Sequence, residues 1–146
     1  MGFSGLNAND PRIRMVVKTV DETIQSDIVI SADSQVFLPL EANTRYAFCS
    51  MARTNGGSAE DMDITYLAPS GSDGAWNRYN QGASAETDFA SEIMLIQNSN
   101  DRMWASYGFV GTGATAGNLS LAWAQTVSGA VDTTMRIGSY LMVFRL

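Results

Sequence analysis

The sequence predicts an all-β fold, an antiparallel jelly-roll-like β-sandwich of about eight to ten short strands. Three observations predict it. Apolar and polar residues alternate with a period of two over many short runs. Turn residues punctuate those runs at intervals of roughly 8–12 residues. Strands and helical patterns do not alternate, so nothing points to a parallel α/β sheet. The chain has 146 residues. That suffices for one domain with a real core, burying roughly 68–70% of its unfolded surface.

Residues 1–11 are rich in Gly and Asn and lack periodicity. They read as an extended N-terminal arm, and residues 12–146 as a single β-sandwich domain. Arg12–Lys18 and Ile24–Ile30 read as strands joined through Asp21-Glu22, because the run is dense in Val, Ile and Thr. Ser34–Leu40 is a short strand whose Pro39 suits a sheet edge, since proline cannot donate to a ladder. Thr44–Arg53 is a long strand: Tyr46, Phe48 and Ser50 face one side, and Ala47, Cys49 and Met51 the other. Asn55-Gly56-Gly57 is a strong turn signal. A hairpin to the strand Asp61–Leu67 is therefore expected, with Met62, Ile64 and Tyr66 on its apolar face.

Pro69–Glu86 reads as a long loop holding Trp76 and Tyr79. Glu92–Gln97 and Met103–Val110 read as strands, and Gly111–Gly117 as a hairpin loop. Leu119, Leu121 and Trp123 alternate with Ser120, Ala122 and Ala124, which makes Trp123 a candidate core anchor. In Tyr140–Leu146 both faces are apolar. Such a strand belongs in the middle of a sheet or at a subunit interface.

The net charge is −6, the pI is about 4.4 and Lys18 is the sole lysine. No basic patch is visible, so nucleic acid is not an expected partner. No apolar run approaches the ~18–20 residues of a membrane span, so no membrane partner is expected either. Met1-Gly2-Phe3-Ser4 lacks the basic and hydrophobic regions of a signal peptide. Cys49 is the single cysteine, so no intramolecular disulfide is possible.

Histidine is absent. That removes the usual general base, the Ser-His-Asp arrangement and the commonest metal ligand. No catalytic residue, cofactor site or metal site is expected, and the chain reads as non-enzymatic. Glu60, Asp61 and Asp63 cluster, but a strand's polar face carries such charge anyway. Gly111-x-Gly113-x-x-x-Gly117 lacks the Lys-Ser/Thr of a phosphate loop. Trp76, Tyr79, Trp104 and Tyr107 could form a sugar platform, although Trp104 and Tyr107 have opposite strand parity, so at most one faces the core. Phe3, Leu6, Trp76 and Tyr79 are the candidate partner-binding residues.

Several segments carry a family resemblance. They are Leu119-x-Leu121-x-Trp123-Ala124-Gln125, Thr133-Thr134 and Gly138-Ser139-Tyr140-Leu141 with Arg145. Upstream stand Asp21-Glu22-Thr23-Ile24, Phe37-Leu38-Pro39-Leu40, Ala42-Asn43-Thr44-Arg45-Tyr46-Ala47-Phe48 and the turn Leu67-Ala68-Pro69-Ser70-Gly71. Together they resemble a family of tailed-phage and prophage virion structural proteins. The resemblance spans about residues 12–146 and is weaker between Asp73 and Ser106. It implies a jelly-roll head decoration, or cement, protein on the capsid exterior. It implies the major capsid protein as partner and a homotrimer that clamps adjacent capsomers. A tail-associated or fibre-tip module that binds a receptor glycan is the alternative.

Overall fold

The computed structural model describes residues 12–57, 60–79, 87–89, 91–97 and 100–146. The strands are β1 (Ile13–Val17), β2 (Glu22–Ile24), β3 (Ser31–Leu40), β4 (Arg45–Asn55), β5 (Met62–Leu67) and β6 (Asp73–Arg78). They continue with β7 (Thr87–Asp88), β8 (Ile93–Leu95), β9 (Arg102–Gly111), β10 (Gly117–Gln125), β11 (Thr133–Met135) and β12 (Tyr140–Arg145). There is no helix among the described residues.

Two antiparallel sheets make the sandwich. The wide sheet has the order β1-β12-β4-β9-β6-β7, with β11 joining β4 and β2 joining β11. The narrow sheet has the order β3-β10-β5-β8. Strands pair from the outside in: β3 with β10, β4 with β9, β5 with β8, and β6 with β7. This is one long antiparallel hairpin rolled up so that its successive strands alternate between sheets, which is the winding of a jelly roll.

The winding corrects two expectations. β4 and β5 do not form a hairpin, because Asn55-Gly56-Gly57 carries the chain from the wide sheet to the narrow one. Their apolar faces meet across the core instead, where the Phe48 and Tyr66 rings lie 4.9 Å apart. Gly111–Gly117 likewise crosses between sheets, from β9 to β10. Two boundaries also shift. The Pro69–Glu86 stretch contains strand β6, whose Trp76 ring meets Tyr66 edge-on at 5.0 Å. Of the expected strand Ile24–Ile30 only Ile24 is strand, as the last residue of β2, and Ser26 has a positive φ of 54°.

Inward-facing residues explain the rest. Tyr46, Phe48, Leu141 and Val143 of the wide sheet face Val36, Leu38, Leu119, Leu121, Trp123 and Ile64 of the narrow one. Gly108 of β9 is required between β4 and β6. A Cβ there would lie 2.4 Å from the Ala75 carbonyl oxygen and 2.7 Å from the Phe48 ring. Trp123 is buried, as its alternation predicts. Strand β3, with Pro39, is an edge of its sheet, and β12 lies between β1 and β4.

The sole lysine is part of this interior. Lys18 follows β1, and its Nζ donates to both carboxylate oxygens of Asp33 at 2.9 and 2.7 Å and to Glu22 Oε2 at 2.8 Å. Asp33 also accepts the Gln35 and Val36 backbone N–H groups and the Trp123 Nε1–H. Both ions of the Lys18–Asp33 pair are sealed from solvent. Burial of a charge is tolerated only with such full satisfaction. The pair pins the edge of the wide sheet to the narrow sheet.

Candidate interaction surface

The alternation that buries Leu141 and Val143 turns Tyr140, Met142 and Phe144 outward. Residues directly opposite in an antiparallel ladder share a face. The register therefore builds the outer face of the wide sheet row by row. One row runs Ile13, Phe144, Ala47, Phe109 across β1, β12, β4 and β9. The next runs Met15, Met142, Cys49, Tyr107, and the third Val17, Tyr140, Met51, Ala105. No member of these rows is charged.

The face is open to solvent. Met15 is 48% exposed, Tyr107 52% and Phe109 51%, and Met103 beyond the third row reaches 68%. At strand spacings of about 4.8 Å and same-face spacings of about 6.8 Å, the three rows tile roughly 400 Å². That equals the largest apolar patches that soluble monomers commonly expose, about 300–600 Å².

Relief on this face follows from residue size. β12 forms a ridge of Tyr140, Met142 and Phe144, and β9 a second ridge through Tyr107 and Phe109. Between them β4 carries the small Ala47 and Cys49, so it runs as a trough. Cys49 occupies its middle, and burial pushes its thiol pKa up. Along β4 the neutral stretch is bracketed by Arg45 and Arg53. Arg53 lies 3.8 Å from Asp101, and the far rim is closed by the Arg136 pairs with Asp21 and Asp101. Arg145, opposite the inward Tyr46, pairs at 2.7 Å with Glu41 next to the narrow sheet and so closes the end of the sandwich and not this face. An apolar centre inside a charged rim is the anatomy of a protein interface.

A second group of exposed apolar residues sits on loops. Ile28 and Val29 lie on the 25–30 loop, and Val127 and Val131 on the 126–132 loop. The Ser26 backbone N–H donates to the Gly129 carbonyl at 3.0 Å, and the Gln25 amide donates to the Ala130 carbonyl. The two loops are thus tied together.

The sequence-predicted partner residues separate in space. Trp76 is sealed in the core, and its site is internal packing. Tyr79 is 65% exposed. Phe3 and Leu6 lie outside the described residues. The sugar platform does not assemble. The Trp104 ring packs against the core and is covered by the guanidinium groups of Arg78 at 5.0 Å and Arg102 at 5.7 Å. Tyr107 points outward, so the opposite parity of Trp104 and Tyr107 holds.

The carboxylates also part. The Glu60 side chain is buried, and Asp61 Oδ1 accepts the Gln97 backbone N–H at 2.7 Å. Asp63 lies beside Ala124 and Met94 in the ladder of the narrow sheet. Among the described residues, no group of three His, Cys, Asp or Glu is placed to hold a metal ion. Sequence reasoning missed the outer face of the wide sheet as a unit. Its signal was present in four strands, each apolar on the side turned away from the core.

No family model and no curated relative matches the chain. Among solved structures, it is similar to a chain in the structure of infectious bursal disease virus Gx strain, with a TM-score of 0.35 and 9% identity over 98% of this chain and 43% of that one. It is also similar to a chain of the Gt strain, with a TM-score of 0.28 and 9% identity over 100% of this chain and 42% of that one. The chain spans less than half the length of those two. At these scores neither likeness bears on function. The chain is an antiparallel β-sandwich with jelly-roll winding, and its most developed surface is the uncharged outer face of the wide sheet.

Proposed function

We propose that this protein is a non-enzymatic structural component of a tailed-phage virion, a decoration protein on the capsid exterior that contacts the major capsid protein. The observation that carries the reading is the pair of separate apolar surfaces on a domain of net charge −6. One is the broad sheet face, suited to another protein surface. The other is the tied loop end with Ile28, Val29, Val127 and Val131. A protein that joins neighbours into a shell needs two such contacts. Acidity suits the outside of a particle, because a polyanion inside would repel it. The sequence resemblance adds the family, and implies three copies in the working assembly.

In this reading, the loop end meets the capsid. Residues 1–11, with Phe3 and Leu6, form an arm along a neighbour. Ordering that arm would cost about 1–2 kcal/mol per residue in backbone entropy, while burying two side chains returns only about 1.5–3 kcal/mol each. Added-strand hydrogen bonds to the neighbour must supply the difference.

The test is a copy count on purified particles of the encoding phage by quantitative mass spectrometry. Hundreds of copies per particle support decoration. A handful would place the protein in the tail, as the glycan-binding alternative requires, and none would end the virion reading. Ile28→Asp with Val29→Asp, and deletion of residues 1–11, should each lower occupancy on stripped capsids at limiting protein.

A further inference from the structure

We propose that the outer face of the wide sheet binds a second copy of this chain face to face, about a two-fold axis that runs between β12 and β4. This pairing stands on the geometry of the face; it puts two copies in place of the three that the resemblance implies and leaves the decoration role as proposed.

Three observations select a second copy as the occupant. The first is relief. The Tyr140–Met142–Phe144 ridge lies directly beside the Ala47–Cys49 trough. A two-fold axis between the two strands seats each copy's ridge in the other's trough. Adjacent ridge and trough make the surface complementary to itself, which is the requirement of an isologous interface. A three-fold ring would instead need two different patches that match each other.

Charge is the second observation. Each copy carries −6, so approach through most of the surface is repulsive. The three central rows carry no charge; at one end of β4 Arg53 lies 3.8 Å from Asp101, and at the other Arg45 is exposed at the rim. Two copies can meet here without burying an unpaired ion.

The third is area. The rows cover about 400 Å². With one surrounding ring of polar residues, the footprint reaches the roughly 800 Å² that each partner gives to a standard interface. Sheets packed this way sit about 10 Å apart with strands inclined by about 30°.

The geometry supplies its own reporter. Cys49 is the only cysteine and stands in the middle row of the trough. In the paired arrangement each Cys49 lies opposite the Met142 ridge of the other copy, and the two Cys49 positions are diagonal across the axis, about 5 Å apart along the sheet and about 10 Å between sheets, within reach of a short bis-maleimide.

The full chain should be examined at micromolar concentration by analytical ultracentrifugation and by bis-maleimide treatment. The expected result is a mass of two copies, a covalent dimer through Cys49, and loss of the cross-link in Cys49→Ser. Tyr107→Asp and Met15→Asp change exposed positions, and circular dichroism identifies the folded variants. Each should raise the concentration at which the dimer dissociates by roughly tenfold or more, the effect of spoiling one interface anchor. A monomer overturns the proposal, including one whose Cys49 reacts only after residues 1–11 are deleted, since the chain's own arm would then cover the face. Three copies overturn the two-fold pairing and leave the decoration reading intact. A dimer that Cys49 cannot cross-link and both substitutions leave unchanged overturns it as well, because another surface would then be in use.

Discussion

The wide and narrow sheets are built from strands with the same two-residue alternation, yet their outer faces differ in kind. On the wide sheet the outward positions hold Phe144, Met142, Tyr140, Phe109, Tyr107 and Met15. On the narrow sheet the central strand turns Ser120, Ala122 and Ala124 outward, flanked by Phe37, Leu67, Thr65 and Asp63. Those three small residues are buried, with Phe37 and Leu67 standing on either side of Ser120. Thr65 beside Ala122 is buried too, and its hydroxyl donates to the Ser91 carbonyl. The outward positions of the wide sheet are uncharged over three rows and several are large, apolar and exposed. The difference separates three kinds of position. Inward residues set the stability of the single domain. The outer face of the wide sheet sets association, and the outer face of the narrow sheet sets neither.

The largest effects belong to the interior. Trp123→Ala removes a buried ring that also donates to Asp33 and should cost about 3–5 kcal/mol in chemical denaturation. Lys18→Met should cost about 3–5 kcal/mol, because it leaves Asp33 buried without its cation. Lys18→Met with Asp33→Leu should recover much of that loss. A double variant no better than the single one would show that the Gln35, Val36 and Trp123 hydrogen bonds to Asp33, not the ion pair, hold the sheets together. By contrast, Tyr107→Asp should leave monomer stability within about 1 kcal/mol while it weakens pairing.

Two titrations sharpen the same division. Burial alone would raise the Glu22 carboxyl, but hydrogen bonds from Lys18 and Ser34 and the Lys18 charge outweigh it and hold its pKa below the ordinary 4.5. A depressed carboxylate contributes stability that is present above pH 4.5 and is lost as pH falls through the folded-state value. Acid unfolding curves should show this loss below pH 4.5, and Glu22→Gln should flatten it. At the other extreme, burial pushes the Tyr66 phenol up to about 12 from 10.0, partly offset by its hydrogen bond with Ser50. The folded state keeps that proton while the unfolded chain releases it. Its stabilisation is therefore complete below pH 10 and declines as pH rises from 10 toward 12. Absorbance at alkaline pH should show the Tyr66 phenol ionising near 12 and not near 10.

What could be read in the sequence follows from the range of each interaction. Period-two alternation is local, so it gave the inward direction of Trp123 and the apolar character of both sides of β12, of which only the Leu141 and Val143 side is buried within the domain. Pro39 marked an edge because the missing donor is a property of one residue. Which strand lies beside which is not local. Met62, Ile64 and Tyr66 satisfy the Thr44–Arg53 strand equally well as a neighbour or from across the core, and only the winding decides. Strand β6 was hidden because Asp73-Gly74-Ala75-Trp76-Asn77-Arg78 holds a glycine and no β-branched residue, so its pairing with β9 overrides weak propensity. The interaction face was visible only in pieces. Ala47, Cys49 and Met51 read as a second apolar side of one strand, and Tyr140, Met142 and Phe144 as one side of another. The register that sets Met142 beside Cys49 and Cys49 beside Tyr107 is a tertiary fact.

The smallest expected effect lies on the narrow sheet. Phe37 and Leu67 are the large apolar side chains on its outer face beside β10, 39% and 38% exposed. They flank Ser120 from either side, so they shield one small residue and form no continuous row. Replacing either by serine exposes little that was buried. Phe37→Ser and Leu67→Ser should each cost less than about 1 kcal/mol, in the range of surface substitutions. Neither should change the sedimentation of the assembled protein. Sedimentation carried out beside Tyr107→Asp gives the comparison directly: equal losses of association from the two faces would mean that pairing uses both sheets, and the distinction drawn between them would fail.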